Sequence, residues 1–165
     1  MTGTKHKNQR VAVLVDVQNM YYSAKNLYKT KVNFNTVLKE AVNGRQLIRA
    51  IAFAIKTEIK DEKNFHEALE KIGFEVKTKD LQVFYGGAKK GDWDVGIATD
   101  MMRLAPKVDT IILVSGDGDF TEMLKYVKAI GCRGEVMSFK KTASTQLIEE
   151  ADDFISMDNK KFLIN

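Results

Sequence analysis

The chain patterns as a single Rossmann-like α/β domain, three αβα layers around a mainly parallel sheet. Continuous apolar runs at 11–15, 50–55 and 111–114 look like strands covered on both faces. Amphipathic stripes of helical period separate them, which is the alternation of βα units. No repeat, low-complexity tract or Pro/Gly/Ser-rich linker interrupts the series, and 165 residues suit one domain. The expected layout is a disordered tail over 1–9 and one domain over 10–165.

The elements follow in order. Val11–Val15 is the first strand. Phe34, Val37, Leu38 and Ala41 stand at i, i+3, i+4 and i+7, the spacing of one helix face. Ala50–Ile55 is a second buried strand, and Phe65, Ala68, Leu69 and Ile72 repeat the helical spacing before Gly73, a C-terminal cap. Phe74–Val76 is a short strand, and the alternating 81–85 run is an edge strand or an extended loop. Val95, Ala98, Met101, Met102 and Ala105 mark a helix stopped by Pro106, the sole proline. Ile111–Val114 is the next strand. Phe120, Met123, Leu124, Val127 and Ile130 then line a helix ended by Gly131. A short strand at 134–137, a helix near 144–151 and the apolar 154–157 segment complete the chain.

Composition narrows the function. The chain is 44% hydrophobic and 29% charged, an ordinary globular balance. One cysteine, Cys132, excludes an internal disulfide and a cysteine-based zinc site. The polar first ten residues lack the apolar stretch of a signal peptide, and no apolar run nears the roughly 18 residues of a membrane span. A cytoplasmic protein with no membrane partner is expected. Net charge +4 suits an anionic partner such as nucleic acid, although 22 acidic residues stand among 26 basic ones. Monomer and homo-oligomer are both left open.

The carboxylates carry the chemistry. Ligands of open α/β sheets bind beyond the carboxyl ends of the strands. The first strand ends in Asp16-Val-Gln-Asn19, and the 111–114 strand in Ser115-Gly-Asp117-Gly-Asp119. Asp92 and Asp94 lie just ahead of a helix. If the two strands are neighbours, Asp16, Asp117 and Asp119 share one rim, with Asp94 facing it. Crowded carboxylates repel unless a cation neutralises them. Oxygen donors with no cysteine among them, in a chain of only two histidines, point to Mg²⁺ or Mn²⁺, which activate water against phosphodiesters. Plainer roles stand beside each residue: a strand-end turn for Asp16, a tight turn for Asp117, helix caps for Asp94 and Asp119, the last paired with Glu122. Asp100 is secondary, six residues past Asp94 and off its helical face. Asp152 and Asp153 are expected as solvated helix-end charges. Lys77, Lys79, Lys89 and Lys90, with Tyr85 and Trp93, form a candidate surface for phosphates and unpaired bases or, equally, a solvated rim.

At Val15-Asp16-Val-Gln-Asn19, Lys90-Gly-Asp92-Trp-Asp94 with Asp100, and Ser115-Gly-Asp117-Gly-Asp119-Phe120, the chain resembles the NYN-domain family. This is the LabA-like branch of the PIN-like nucleases, and the likeness runs from about 10 to 157. The resemblance implies a PIN-like fold and a Mg²⁺- or Mn²⁺-dependent endoribonuclease acting on single-stranded RNA. It implies Asp16, Asp94, Asp117 and Asp119 as metal ligands and catalytic residues. Asn19, Lys90 and Ser115 are implied on the substrate side, with Asn19 also able to orient Asp16 and Ser115 to bond within the cluster. Val17-Gln18 departs from the small residue usual there, and Asp92 replaces an apolar residue; Asp94 is preferred to Asp92 as the ligand. An RNA- or protein-binding regulatory module, weak or inactive in catalysis, is the alternative on the same fold. A haloacid-dehalogenase-type phosphohydrolase also starts from an aspartate after strand one, but Gln18 stands where its second acid belongs. Neither glycine signature of a P-loop or dinucleotide site is present.

Overall fold

The computed structural model describes residues 5–56, 62–80, 82–83, 89–90 and 92–164, with backbone alone at 82–83 and 89–90. Six strands form the central sheet: β1 (Arg10–Asp16), β2 (Gln46–Lys56), β3 (Glu75–Asp80), β4 (Thr110–Val114), β5 (Arg133–Ser138) and β6 (Asp153–Ser156). Every pairing is parallel, in the order β3-β2-β1-β4-β5-β6. The helices are α1 (Val17–Tyr28), α2 (Phe34–Val42), α3 (Glu62–Ile72), α4 (Asp94–Leu104), α5 (Thr121–Ala129) and α6 (Thr145–Glu150).

The sheet has a packed layer on each face because alternate strand residues point opposite ways. Val11, Val13, Val15, Ile112 and Val114 meet Met20 and Ala24 of α1, Val37 and Leu38 of α2, and Leu69 of α3. Ala12, Leu14, Ile111 and Leu113 meet Ile97, Met101 and Leu104 of α4, Leu124 and Val127 of α5, and Leu147 of α6. The three-layer αβα arrangement expected from the sequence is the observed one. Strand order 3-2-1-4-5-6 is that of a doubly wound sheet, and its direction reverses between β1 and β4.

Local signals explain the helix ends. Side chains of Asp16, Asn33 and Ser144 cap α1, α2 and α6 by accepting from the backbone N–H of Asn19, Thr36 and Leu147. Gly73 and Gly131 follow α3 and α5 at φ +127° and +94°, as expected of C-terminal glycines. α4 ends at Leu104 and tightens into a 3₁₀ turn that carries Pro106.

α1 has no counterpart among the helices expected from the sequence. Val17, Met20, Ala24 and Leu27 do line one face, but Tyr21 and Tyr22 project into solvent and blur the stripe. β2 also runs longer than 50–55, starting at Gln46. Within 81–85, residues 82–83 pair antiparallel with 89–90, while Leu81, Phe84 and Tyr85 lie outside the described residues. At the start of the chain Lys5 pairs with Asp153 at 2.8 Å, and Gln9 O accepts from Gln46 N. Asp152 accepts from Gly134 N at 2.9 Å, so neither 152 nor 153 is a merely solvated charge.

Candidate metal centre

The tips of β1 and β4 are adjacent, since Val15 is in register with Val114. Asp16 therefore stands beside Ser115-Gly116-Asp117 at the reversal of the sheet. Its Oδ1 accepts from Asn19 N (3.2 Å), and its Oδ2 accepts from Ser115 Oγ (3.3 Å). Ser115 is fully buried and its Oγ also accepts from Asp117 N (3.2 Å), so one hydroxyl joins both aspartates. Asn19 Oδ1 accepts from Gly116 N (2.9 Å), a second tie between the strand tips.

Gly116 is required by close approach. A Cβ there would lie 2.7 Å from Ser138 Oγ and 3.0 Å from the Ala143 Cα, which is backbone and cannot swing away. The loop then turns through Asp117, whose Oδ1 accepts from Asp119 N at 2.9 Å. Asp117 is thus the cap of a 3₁₀ turn over Gly118–Phe120. Asp119 forms no capping box with Glu122: α5 starts only at Thr121, and no side-chain cap bond is made there.

Asp94 enters from the other side, as the first residue of α4. Asp92 Oδ1 accepts from Asp94 N (3.2 Å), which engages one oxygen of Asp92 and leaves Asp94 pointing inward. One carboxylate oxygen from each of Asp94, Asp117 and Asp119 lies within 4.8 Å of the others. Asp16 is 8% exposed and borders the trio from the floor of a cleft of about 440 Å³, which Asn19, Asp92, Asp94 and Asp117 also line. Among the described residues, no lysine or arginine forms an ion pair with any of these five aspartates.

Electrostatics records the crowding. Burial pushes Asp16 up to about 6, against the Asn19 and Ser115 hydrogen bonds, with Asp117 and Asp92 adding repulsion. Asp94 also rises to about 6, through burial and then the charges of Asp117, Asp92, Asp16 and Asp119. All-oxygen donors, a compact trio and unbalanced negative charge together fit a hard divalent cation.

Other sequence candidates sit elsewhere. Asp100 is buried in α4 and pairs with Lys77 (2.6 Å) and Arg103 (3.3 Å), away from the trio. Trp93 is a rim anchor: its Nε1 donates to Ala54 O at 2.8 Å and its ring packs on Phe53, with Gly96 leaving room for it. Lys79 lies over the Trp93 ring at 4.8 Å. The expected phosphate-and-base surface therefore has Lys77, Lys79 and Trp93 already engaged. Tyr85 and the side chains of Lys89 and Lys90 lie outside the described residues. Missed from the sequence was the α1 wall of the cleft, formed by Gln18, Tyr22, Ser23 and Asn26, with Thr142 against Ser23. The signal was available in the helical spacing of 18, 22 and 26, once α1 was recognised.

Fold and rim together define a doubly wound αβα domain with a carboxylate site at the switch point of its sheet. The chain belongs to the NYN-domain family, whose model matches residues 10–158. It is 26% identical to the low amplitude and bright protein LabA of Synechococcus elongatus, across 94% of this chain and 87% of that one. The crystal structure of a protein of unknown function, VPA0982 from Vibrio parahaemolyticus, is 35% identical and superposes with a TM-score of 0.89, covering 98% of this chain and all of that one. The LabA-like resemblance read from the motifs stands.

Proposed function

We propose that this NYN domain is a metal-dependent endoribonuclease that hydrolyses phosphodiester bonds of single-stranded RNA in the cytoplasm. The observation that carries the proposal is the trio Asp94, Asp117 and Asp119, three carboxylates within 4.8 Å and without a described basic partner. These residues would hold Mg²⁺ or Mn²⁺, with Asp16 adding a fourth carboxylate from the cleft floor. When bound, the cation supplies positive charge to a phosphodiester and makes water more acidic. The protein contributes orientation. Ser115 and Asn19 fix the Asp16 carboxylate and hold the β1 and β4 tips together, so the acids are placed before substrate arrives. Lys90 is assigned to the scissile phosphate by the family motif alone.

The test is incubation of the pure chain with labelled single-stranded RNA and Mn²⁺. Fragments are expected with metal, none in EDTA, and a loss of at least about a hundredfold in Asp117→Asn, the scale of removing a principal charge-stabilising group. Absence of cleavage, or cleavage unchanged in Asp117→Asn, refutes the proposal. The engagement of Lys77 and Lys79 supports a second reading, a binding module on the same fold. Metal affinity without turnover would favour it.

A further inference from the structure

The surroundings of the acidic trio are asymmetric in charge. On the α5–α6 side Asp119 borders a second cleft, with Glu122, Glu149 and Glu150 on its walls. Glu122 is paired with Lys125 at 3.2 Å and Glu150 with Lys128 at 3.3 Å, which leaves Glu149 beside Asp119 with no salt bridge among the described residues. A polyanion leaving the trio in that direction meets further carboxylates. The α1 side is the opposite. No acidic residue occurs from Val17 to Lys39, or from Phe139 to Ile148, and the one carboxylate packed against them, Asp158, is occupied by donors from Tyr28, Ser156 and the Lys140 backbone. Lys25, Lys140 and Lys141 form no salt bridge among the described residues, and both 140 and 141 are exposed.

The two basic segments are one surface. Thr142 Oγ1 is 3.5 Å from Ser23 Oγ, and Lys141 Nζ lies 5.1 Å over the ring of Tyr28 at the end of α1. Tyr22, half exposed, lines the same cleft as Asp16, Asp94 and Thr142, the residue that follows Lys141. Tyr21 packs edge-on against it at 5.3 Å, which fixes the ring. An exposed, braced aromatic ring beside a phosphate-cutting centre is the platform an unpaired base stacks on.

Resting on the ribonuclease reading, we infer that the RNA strand runs from the acidic trio along α1, with one base stacked on Tyr22 and its phosphates on Lys140 and Lys141. The path leads along about 18 Å of helix and needs unpaired bases, so duplex RNA is a poor ligand. The α5–α6 cleft stays free of RNA.

The experiment is fluorescence anisotropy of a short labelled oligouridylate on the full chain in Ca²⁺, with oligonucleotide length checked on a gel. Tyr22→Ala should weaken binding about tenfold while Tyr22→Phe retains it, as loss of one base stack requires. The pair Lys140→Glu and Lys141→Glu should weaken binding and flatten the salt dependence by about 0.7 per lysine in log–log slope. Lys125→Glu on the acidic side should change nothing. Wild-type affinity in Tyr22→Ala, equal loss in Lys125→Glu, or no RNA binding by the wild type overturns the path. Cleavage in Mn²⁺ that ignores Tyr22 would sink the path and leave the nuclease standing. Tyr22-dependent binding without cleavage would do the reverse.

Discussion

The carboxyls of Asp16 and Asp94 are pushed up to about 6, first by burial and then by the charges of the neighbouring aspartates. For Asp16 the folded value of about 6 lies above the ordinary 3.8, so between those values the folded chain binds more protons than the unfolded one. Stability of the metal-free protein must then fall as pH rises from about 4 to 6, and the cost is fully present above it. For this largely buried group that cost is about 3 kcal/mol. Asp94 adds in the same direction, less because solvent screens it. Metal-free protein should therefore melt at higher temperature at pH 5 than at pH 8, with Mn²⁺ raising the pH 8 value most. Asp16→Asn should melt higher than wild type at pH 8 in EDTA while losing cleavage. A melting temperature indifferent to pH and to Mn²⁺ would contradict the crowding argument. Asp100 differs in kind. Asp100→Ala releases Lys77 and Arg103 to solvent and should cost about 1 kcal/mol in denaturant titrations, without changing metal affinity.

At the scale of the element, the two strand tips act as one unit because two hydrogen bonds cross between them and two more brace them. Ser115→Ala removes the hydroxyl shared by Asp16 and Asp117 and should lower Mn²⁺ affinity about tenfold in calorimetry, with little change in fold. Gly116→Ala should do more, since its methyl group meets the Ala143 backbone; wild-type metal affinity in that variant would show the approach to be dispensable. The strands and most helices were legible because their periods are local. Asp94, Asp117 and Asp119 were legible because each sits next to a predicted strand or helix end. Trp93 was not: its partners Ala54 and Phe53 come from β2, 39 and 40 positions earlier, and no local pattern reports such a contact. The capping of the 118–120 turn by Asp117 was likewise invisible, as 3₁₀ and α starts share the same residues.

The whole molecule places its carboxylate cluster and its buried ion pair at different regions of the sheet. Acids gather at the carboxyl tips of β1 and β4, whereas Glu135, within β5, is fully buried and gripped by Arg45 at 2.9 and 3.0 Å and by Arg133 at 2.9 Å. Arg45 also donates to Ala41 O and Val42 O at the end of α2 and so locks the turn into β2. Glu135→Ala leaves a buried guanidinium unpaired and should cost about 3–5 kcal/mol in denaturant unfolding, while the residual folded protein keeps its metal affinity. The doubly wound order makes this division possible by bringing β1 and β4 side by side at the reversal, so distant motifs meet. The most direct test of that meeting is anomalous diffraction from crystals soaked in MnCl₂. A manganese peak bounded by the carboxylates of Asp94, Asp117 and Asp119, beside Asp16, is the expected result. Crystals saturated with Mn²⁺ that show no peak there, with the four aspartates still in place, would contradict it.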